Sequence, residues 1–535
     1  MNEQEIRRHS LFLYVIDNLD KDGAYNRSPL PDKPLQPYSY GDADAALFRI
    51  AETPENQETL NKIHHLLSRW LANPTPAAKR RLYNAITGIE VITIFFPLVE
   101  RLKEEHVSRE DLVSLAEEWL YTGAHREVLK FVYLLCTVLG PEYIREEYSA
   151  TMYKDLFTLA RCEEFTPCLC LTCTLNKTLP QKELWYLARR THGWGKAVLL
   201  SCLEYDTPQK QSWLVKHGLK LRVFWPPLAP LVVVEGQVTN LVQKKELTLE
   251  AYHSVAEILA AYMIYLTPPE PIKQTPWGDM FPVEVPIDLN LLLTHFLRHG
   301  EQWATTPKTV LPVLAVKRKL EEIVTLGSWD ILPQNATQLL IAKCDKLIYS
   351  RDWEPEIRKN VLTSNGRVRQ DHVELAANLD IDIWETIFAF YRKHPENQTA
   401  LRYLLVKSDK NRDPAVALKR HLDFLLEAQK NLPLYLSDEK ALTTLCAYLI
   451  HHPGEGEFIL ASALTSGLEH AMLTATVNLN RWPREAITPA LKNAMTECLR
   501  ATTNPFVSDL LKHLLGISAG SKVKGAKIHW KDRKQ

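Results

Sequence analysis

The sequence predicts an all-α fold, an α-solenoid of short antiparallel helix pairs stacked in the HEAT-like manner, with an irregular middle segment. Three observations predict it. First, one structural unit is written twice. Leu156-Phe157-Thr158-Leu159-Ala160-Arg161 is matched by Leu184-Trp185-Tyr186-Leu187-Ala188-Arg189. The Cys168–Cys173 run that follows is matched by Ala197–Cys202 at nearly the same offset. A helical pair at a nearly fixed period marks a repeat array. Secondly, apolar residues recur at helical spacing through most of the chain, and period-two alternation is nearly missing. Thirdly, the 535 residues include only 19 glycines, which disfavours a glycine-rich nucleotide-binding fold, while many of the 32 prolines stand at helix starts.

In chain order, residues 1–44 read as an arm or linker, with a short helix around Leu11, Leu13 and Ile16 and a proline-rich stretch at 21–42. Residues 45–220 read as a helical repeat region. Leu60, Ile63, Leu66, Leu67, Trp70 and Leu71 form one helical face. Ile89–Leu102 is apolar nearly all round, which predicts one buried helix. Ser108, with Asp111 at the third position of the helix it opens, predicts a capping box. Thr166 before Pro167 predicts a helix cap followed by proline at the first helical position.

Residues 221–286 form the irregular middle. Val223–Val234 is β-branched and broken by prolines, and fits either an extended segment or a kinked helix. Thr248 caps a helix to Leu266, and a long loop follows through Pro286. Helices resume over 287–516, with Trp482-Pro483 as a helix start over 483–500. Residues 517–535 form a basic tail.

Lys and Arg number 64, as do Asp and Glu, so net charge gives no pull toward nucleic acid or anionic membrane. No window is apolar and long enough to span a bilayer, and Met1–Glu5 carries acids where a signal peptide needs bases. A cytoplasmic placement with free thiols is expected.

The sequence assigns no catalytic residue, no cofactor and no cofactor-binding residue. Four closely spaced thiols, Cys162, Cys168, Cys170 and Cys173, raise the question of a metal, for which Cys162, Cys170 and Cys173 are the candidate ligands. Paired C-x2-C spacing is missing, and small buried thiols in a core helix explain the run better. The adjacent pairs His64-His65 and His451-His452 diverge by about 100° on a helix, so neither pair chelates a metal by itself. His192-Gly193-Trp194-Gly195-Lys196 lacks P-loop spacing and reads as a repeat turn around a packed Trp. Glu104-Glu105 and Glu163-Glu164 read as solvated faces. The tail residues Lys522, Lys524, Lys527, Trp530 and Lys531 offer charge and a stacking ring to phosphates or an acidic partner, against the plainer reading of a solubilising tail.

The Leu187–Leu200 unit and Trp482-Pro483-Arg484-Glu485-Ala486 resemble HEAT-type helical repeats. The chain resembles an uncharacterised bacterial group, mainly from Firmicutes, with such repeats at both ends, some members of which carry the label limonene hydroxylase. That label implies a monooxygenase, here with a site near the middle segment. The residues show no haem-thiolate motif, no flavin or nicotinamide fingerprint and no evident two-His-one-carboxylate set. A repeat array needs no catalytic group, so the expected function is a protein-interaction scaffold, with the monooxygenase as the alternative.

Overall fold

The computed structural model describes residues 10–26, 30–32, 54–105, 107–221, 226–266, 287–328, 330–502 and 505–517. Most of the proline-rich arm, the loop over 267–286 and the tail beyond Ile517, with Lys522, Lys524, Lys527, Trp530 and Lys531, lie outside them. The fold is all-α. Among the described residues no strand forms, and the extended pairings are two isolated bridges, Leu19 to Tyr25 and Leu362 to Val368. No helix among them is long and apolar enough to cross a membrane.

The chain divides into two compact units, Met1–Ile348 and Tyr349–Gln535. The helices of the first are α1 (Leu11–Asp17), α2 (Pro54–Ala72), α3 (Pro76–Ile86), α4 (Phe95–Glu104), α5 (Arg109–Thr122), α6 (Arg126–Leu139), α7 (Ala150–Leu159), α8 (Thr166–Leu175), α9 (Gln181–Ala188), α10 (Gly193–Ser201), α11 (Pro208–His217), α12 (Ala229–Glu235), α13 (Val238–Gln243), α14 (Leu249–Leu266), α15 (Leu289–Trp303), α16 (Pro307–Leu326) and α17 (Gln334–Ile348). Helices α4, α6, α8 and α10 pack side by side in one row, and α5 lies against α6. The helix over 126–139 is buried at every position except Val138, so it forms the spine of the row. Two buried hydroxyls, Thr137 on α6 and Thr172 on α8, meet at 2.9 Å inside the apolar contact. Each also bonds a carbonyl one turn back on its own helix, so neither oxygen is buried without a partner.

The second unit holds α18 (Glu354–Asn360), α19 (Gln370–Asn378), α20 (Trp384–Tyr391), α21 (Gln398–Ser408), α22 (Pro414–Tyr435), α23 (Glu439–Tyr448), α24 (Glu457–Thr465), α25 (Glu469–Arg481), α26 (Pro489–Ala501) and α27 (Pro505–Leu515). Alternate helices stack: α21, α23, α25 and α27 form one layer, and α22, α24 and α26 the other. This neighbour relation is consistent with stacked helical pairs within the unit.

Several local details differ from the sequence reading. Ile89–Leu102 is not one helix: a 3-10 turn over Val91–Thr93 comes before α4. The Thr166 hydroxyl does not cap α8 but turns back to the Ala160 carbonyl at 2.8 Å. At Ser108 half of the capping box forms, the hydroxyl accepting from the Asp111 N–H at 3.3 Å. Pro483 leads into a short 3-10 turn, and the helix starts at Pro489, capped by Thr488. Over Pro226–Glu235 the helical alternative holds: a 3-10 turn runs into α12, with Pro230 in its first turn.

The Gly193-Trp194-Gly195 turn shows why its glycines are there. Gly193 has φ +56°, and a Cβ on it would fall 2.1 Å from Glu163 Oε2. A Cβ on Gly195 would fall 2.8 Å from the Glu163 carbonyl oxygen and 2.6 Å from Thr166 Oγ1. The second copy of the repeat thus seats its turn directly on the turn of the first. Gly195→Ala and Gly193→Ala are each expected to destabilise the chain by about 1–3 kcal/mol, read as a lower urea midpoint at unchanged slope. Gly366→Ala is expected to cost less, since Gly366 has φ +69° but nothing within 4 Å of its Cβ position.

Candidate functional site

The cysteines of the repeat are core residues. Cys162, Cys168, Cys170 and Cys173 are each at most 1% exposed. Burial pushes the Cys162 thiol well above its ordinary value and Cys173 up to about 12. Cys170 is raised first by donating a hydrogen bond to Cys202 and then by burial. The same bond lowers Cys202 to about 7, against the effect of its burial, with help from the Thr174 and Ser201 hydroxyls. Among the described residues no cysteine belongs to a group of ligand atoms close enough to share a metal.

Glu163 and Glu164 are not solvated; they are 2% and 3% exposed. Glu163 lies against the Gly193-Trp194-Gly195 turn, and Glu164 meets a buried set of cations on α6. Lys130 Nζ lies 3.1 Å from Glu127 Oε1 and 2.8 Å from Glu164 Oε1. Arg126 forks onto Asp32, with Nε–Oδ2 at 3.0 Å and Nη2–Oδ1 at 2.9 Å, and its other nitrogen lies 3.6 Å from Glu164. Burial raises the Glu127 carboxyl, opposed by the charge of Lys130. Burial also works against ionised Asp32, but the hydrogen bonds and charge of Arg126 outweigh it and hold that carboxyl below its usual value. Glu127 further accepts the Val91 N–H at 2.8 Å, which ties down the 3-10 turn before α4. No ligand-sized space is needed to explain this set. Each of its charges meets its opposite, as buried charges must.

A different grouping lies in the second unit. Asp409 closes α21, His421 projects from the inner face of α22, and His452 follows the 3-10 turn after α23. Each offers one ligand atom, and these atoms lie within 4.8 Å of one another. His452 Nε2 is 3.0 Å from Asp409 Oδ2, and His421 Nδ1 is 3.4 Å from Asp409 Oδ1. The two imidazoles stack with centroids 4.8 Å apart and planes 18° from parallel. On its far side His421 Nε2 bonds Glu455. The Tyr448 hydroxyl sits 2.6 Å from His421 Nδ1, 2.7 Å from Ser408 Oγ and 3.2 Å from both Asp409 oxygens. Burial raises its pKa, so it remains a hydroxyl. The sequence alone points to only one part of this set, the His451-His452 pair. Asp409, His421 and His452 are too widely separated along the chain for any short motif to join them. His64, of the other adjacent pair, instead bonds Glu105 at 2.9 Å.

The opposite face of α22 is apolar and open. Leu418, Leu422 and Leu426 are 60%, 50% and 56% exposed, one turn apart, while His421, Phe424, Ala428 and Tyr435 face inward. No family model, curated protein or solved structure matches the chain.

Two outcomes follow from these clusters. Lys130→Met leaves Glu127 and Glu164 without their shared cation and is expected to cost about 3–5 kcal/mol. Adding Glu127→Gln should recover part of that loss in a double-mutant cycle by urea denaturation. Iodoacetamide labelling of the native chain, followed by peptide mass spectrometry, is expected to find Cys202 modified first. Its labelling should rise from about pH 6 to 8 as the thiolate forms, with Cys162 and Cys173 protected.

Proposed function

We propose that the protein is a non-catalytic interaction scaffold built on a HEAT-like helical array, acting in a reducing cytoplasm. The observation that carries the reading is the row of Leu418, Leu422 and Leu426 on α22. Leucines recurring once per turn make a ridge of the kind that packs into the groove of another helix. Solvent-exposed leucines in such a row mark a contact surface rather than scattered surface apolars. The occupant is an amphipathic helix of a protein partner, docking as a helix on a ridge. The nine free cysteines agree with a reducing compartment.

The test compares the full chain with Leu418→Glu/Leu422→Glu. These side chains are exposed, so the variant should keep its stability to within about 0.5 kcal/mol. A partner captured by the wild type is to be rebuilt from purified components. The reading expects a binary complex whose affinity falls by roughly 100-fold in the variant. Unchanged affinity overturns it, and so does finding that the ridge serves only self-association, seen as a wild-type dimer and a variant monomer.

A further inference from the structure

We propose that Asp409, His421 and His452 bind a single divalent first-row transition ion such as Zn2+, a site independent of the interaction surface proposed above. Glu455 is an acceptor, so the His421 nitrogen that faces it, Nε2, carries the hydrogen. With its hydrogen on Nε2, the neutral form of the ring can present a lone pair at Nδ1 to a metal. That lone pair faces the Asp409 carboxylate, itself all acceptor, at 3.4 Å. His452 Nε2 adds a third donor atom 3.0 Å from the other Asp409 oxygen. The Tyr448 hydroxyl has one proton and faces His421 Nδ1, the two Asp409 oxygens and Ser408 Oγ, so it donates to only one of them.

A cation between the three groups would satisfy all of them. Two imidazoles and a carboxylate are a borderline ligand set, suited to zinc and its neighbours rather than to calcium or magnesium. Metal–ligand bonds of about 2.0–2.2 Å place tetrahedral donor atoms about 3.3–3.6 Å apart. Binding would draw the donor atoms in from their present spread of up to 4.8 Å, and Asp409, whose side chain is 44% exposed, is the ligand with most room to move. His421 is held from behind by a carboxylate, the arrangement that fixes the tautomer and ring plane of a metal-bound histidine. Tyr448 is then free to donate to the Asp409 oxygen that does not bind the metal. Since the three ligands come from the end of α21, from α22 and from the turn after α23, the ion would clamp three successive elements together.

The experiment uses the full chain, stripped with a chelator and titrated with Zn2+ by calorimetry and with Co2+ by visible absorption. The expected result is one equivalent bound, with Co2+ bands of a nitrogen and oxygen site and no thiolate charge-transfer band. Asp409→Asn and His452→Ala should abolish binding, and Glu455→Gln should weaken it by roughly 10–100-fold. Cys170→Ser/Cys202→Ser should bind as the wild type does. Circular dichroism checks that each variant is folded; Asp409→Asn changes a half-exposed side chain and keeps its shape. Failure of the wild type to bind at micromolar metal, undiminished binding by folded Asp409→Asn and His452→Ala, or loss of binding in the cysteine variant would each overturn the assignment.

Discussion

The first unit depends on a charge that cannot reach water. Lys130 is 1% exposed on a helix buried almost all round, and an ammonium there costs several kcal/mol unless it is met by carboxylates. Glu127 meets it from the same helix, and Glu164 from the turn between α7 and α8. Apolar faces can slide by a turn at modest cost. A charge that must find its partner tolerates one register. Arg126 extends the constraint to Asp32 upstream of every helix in the row. Glu163, beside Glu164, presses on Gly193 in the next copy. One buried cation thereby fixes the position of the first repeat turn, and that turn fixes the second.

Much of the helical plan was legible in the sequence, because periodicity records which face of a helix is covered. Leu60, Ile63, Leu67 and Trp70 are buried as their spacing predicts, and Thr248 caps the helix that ends at Leu266. What was not legible depends on residues far apart in the chain. Two adjacent glutamates look like any solvated pair until α6, two helices earlier, brings Arg126 and Lys130 to Glu164 and the Gly193 turn closes on Glu163. Thr166 before a proline has the look of a cap, yet its hydroxyl had a nearer acceptor in the Ala160 carbonyl. The cluster of Asp409, His421 and His452 follows the same rule. Each ligand sits on a different element, so only the packing of α21, α22 and α23 brings them together.

The second unit puts two kinds of chemistry on one helix. Helix α22 turns His421 and Phe424 inward and Leu418, Leu422 and Leu426 outward. The inner face is polar at one end, where His421 meets Asp409, Tyr448 and Glu455, and aromatic further along, where Phe424 and Tyr435 are buried. The outward leucines therefore ride on a helix whose placement is set by hydrogen bonds as well as by apolar burial. Such a helix keeps its outer face in one orientation, which a docking surface requires.

The stacking order has a consequence for how the chain acquires its structure. In the second unit most helices touch those one and two places along the sequence. Contacts of that kind close short loops, so their entropic cost is small and they form quickly. A chain emerging from the ribosome amino end first can bury each new helix against the pair already made, without waiting for a distant segment. The unit can assemble at the pace of its own synthesis, leaving only the latest helix uncovered at any moment.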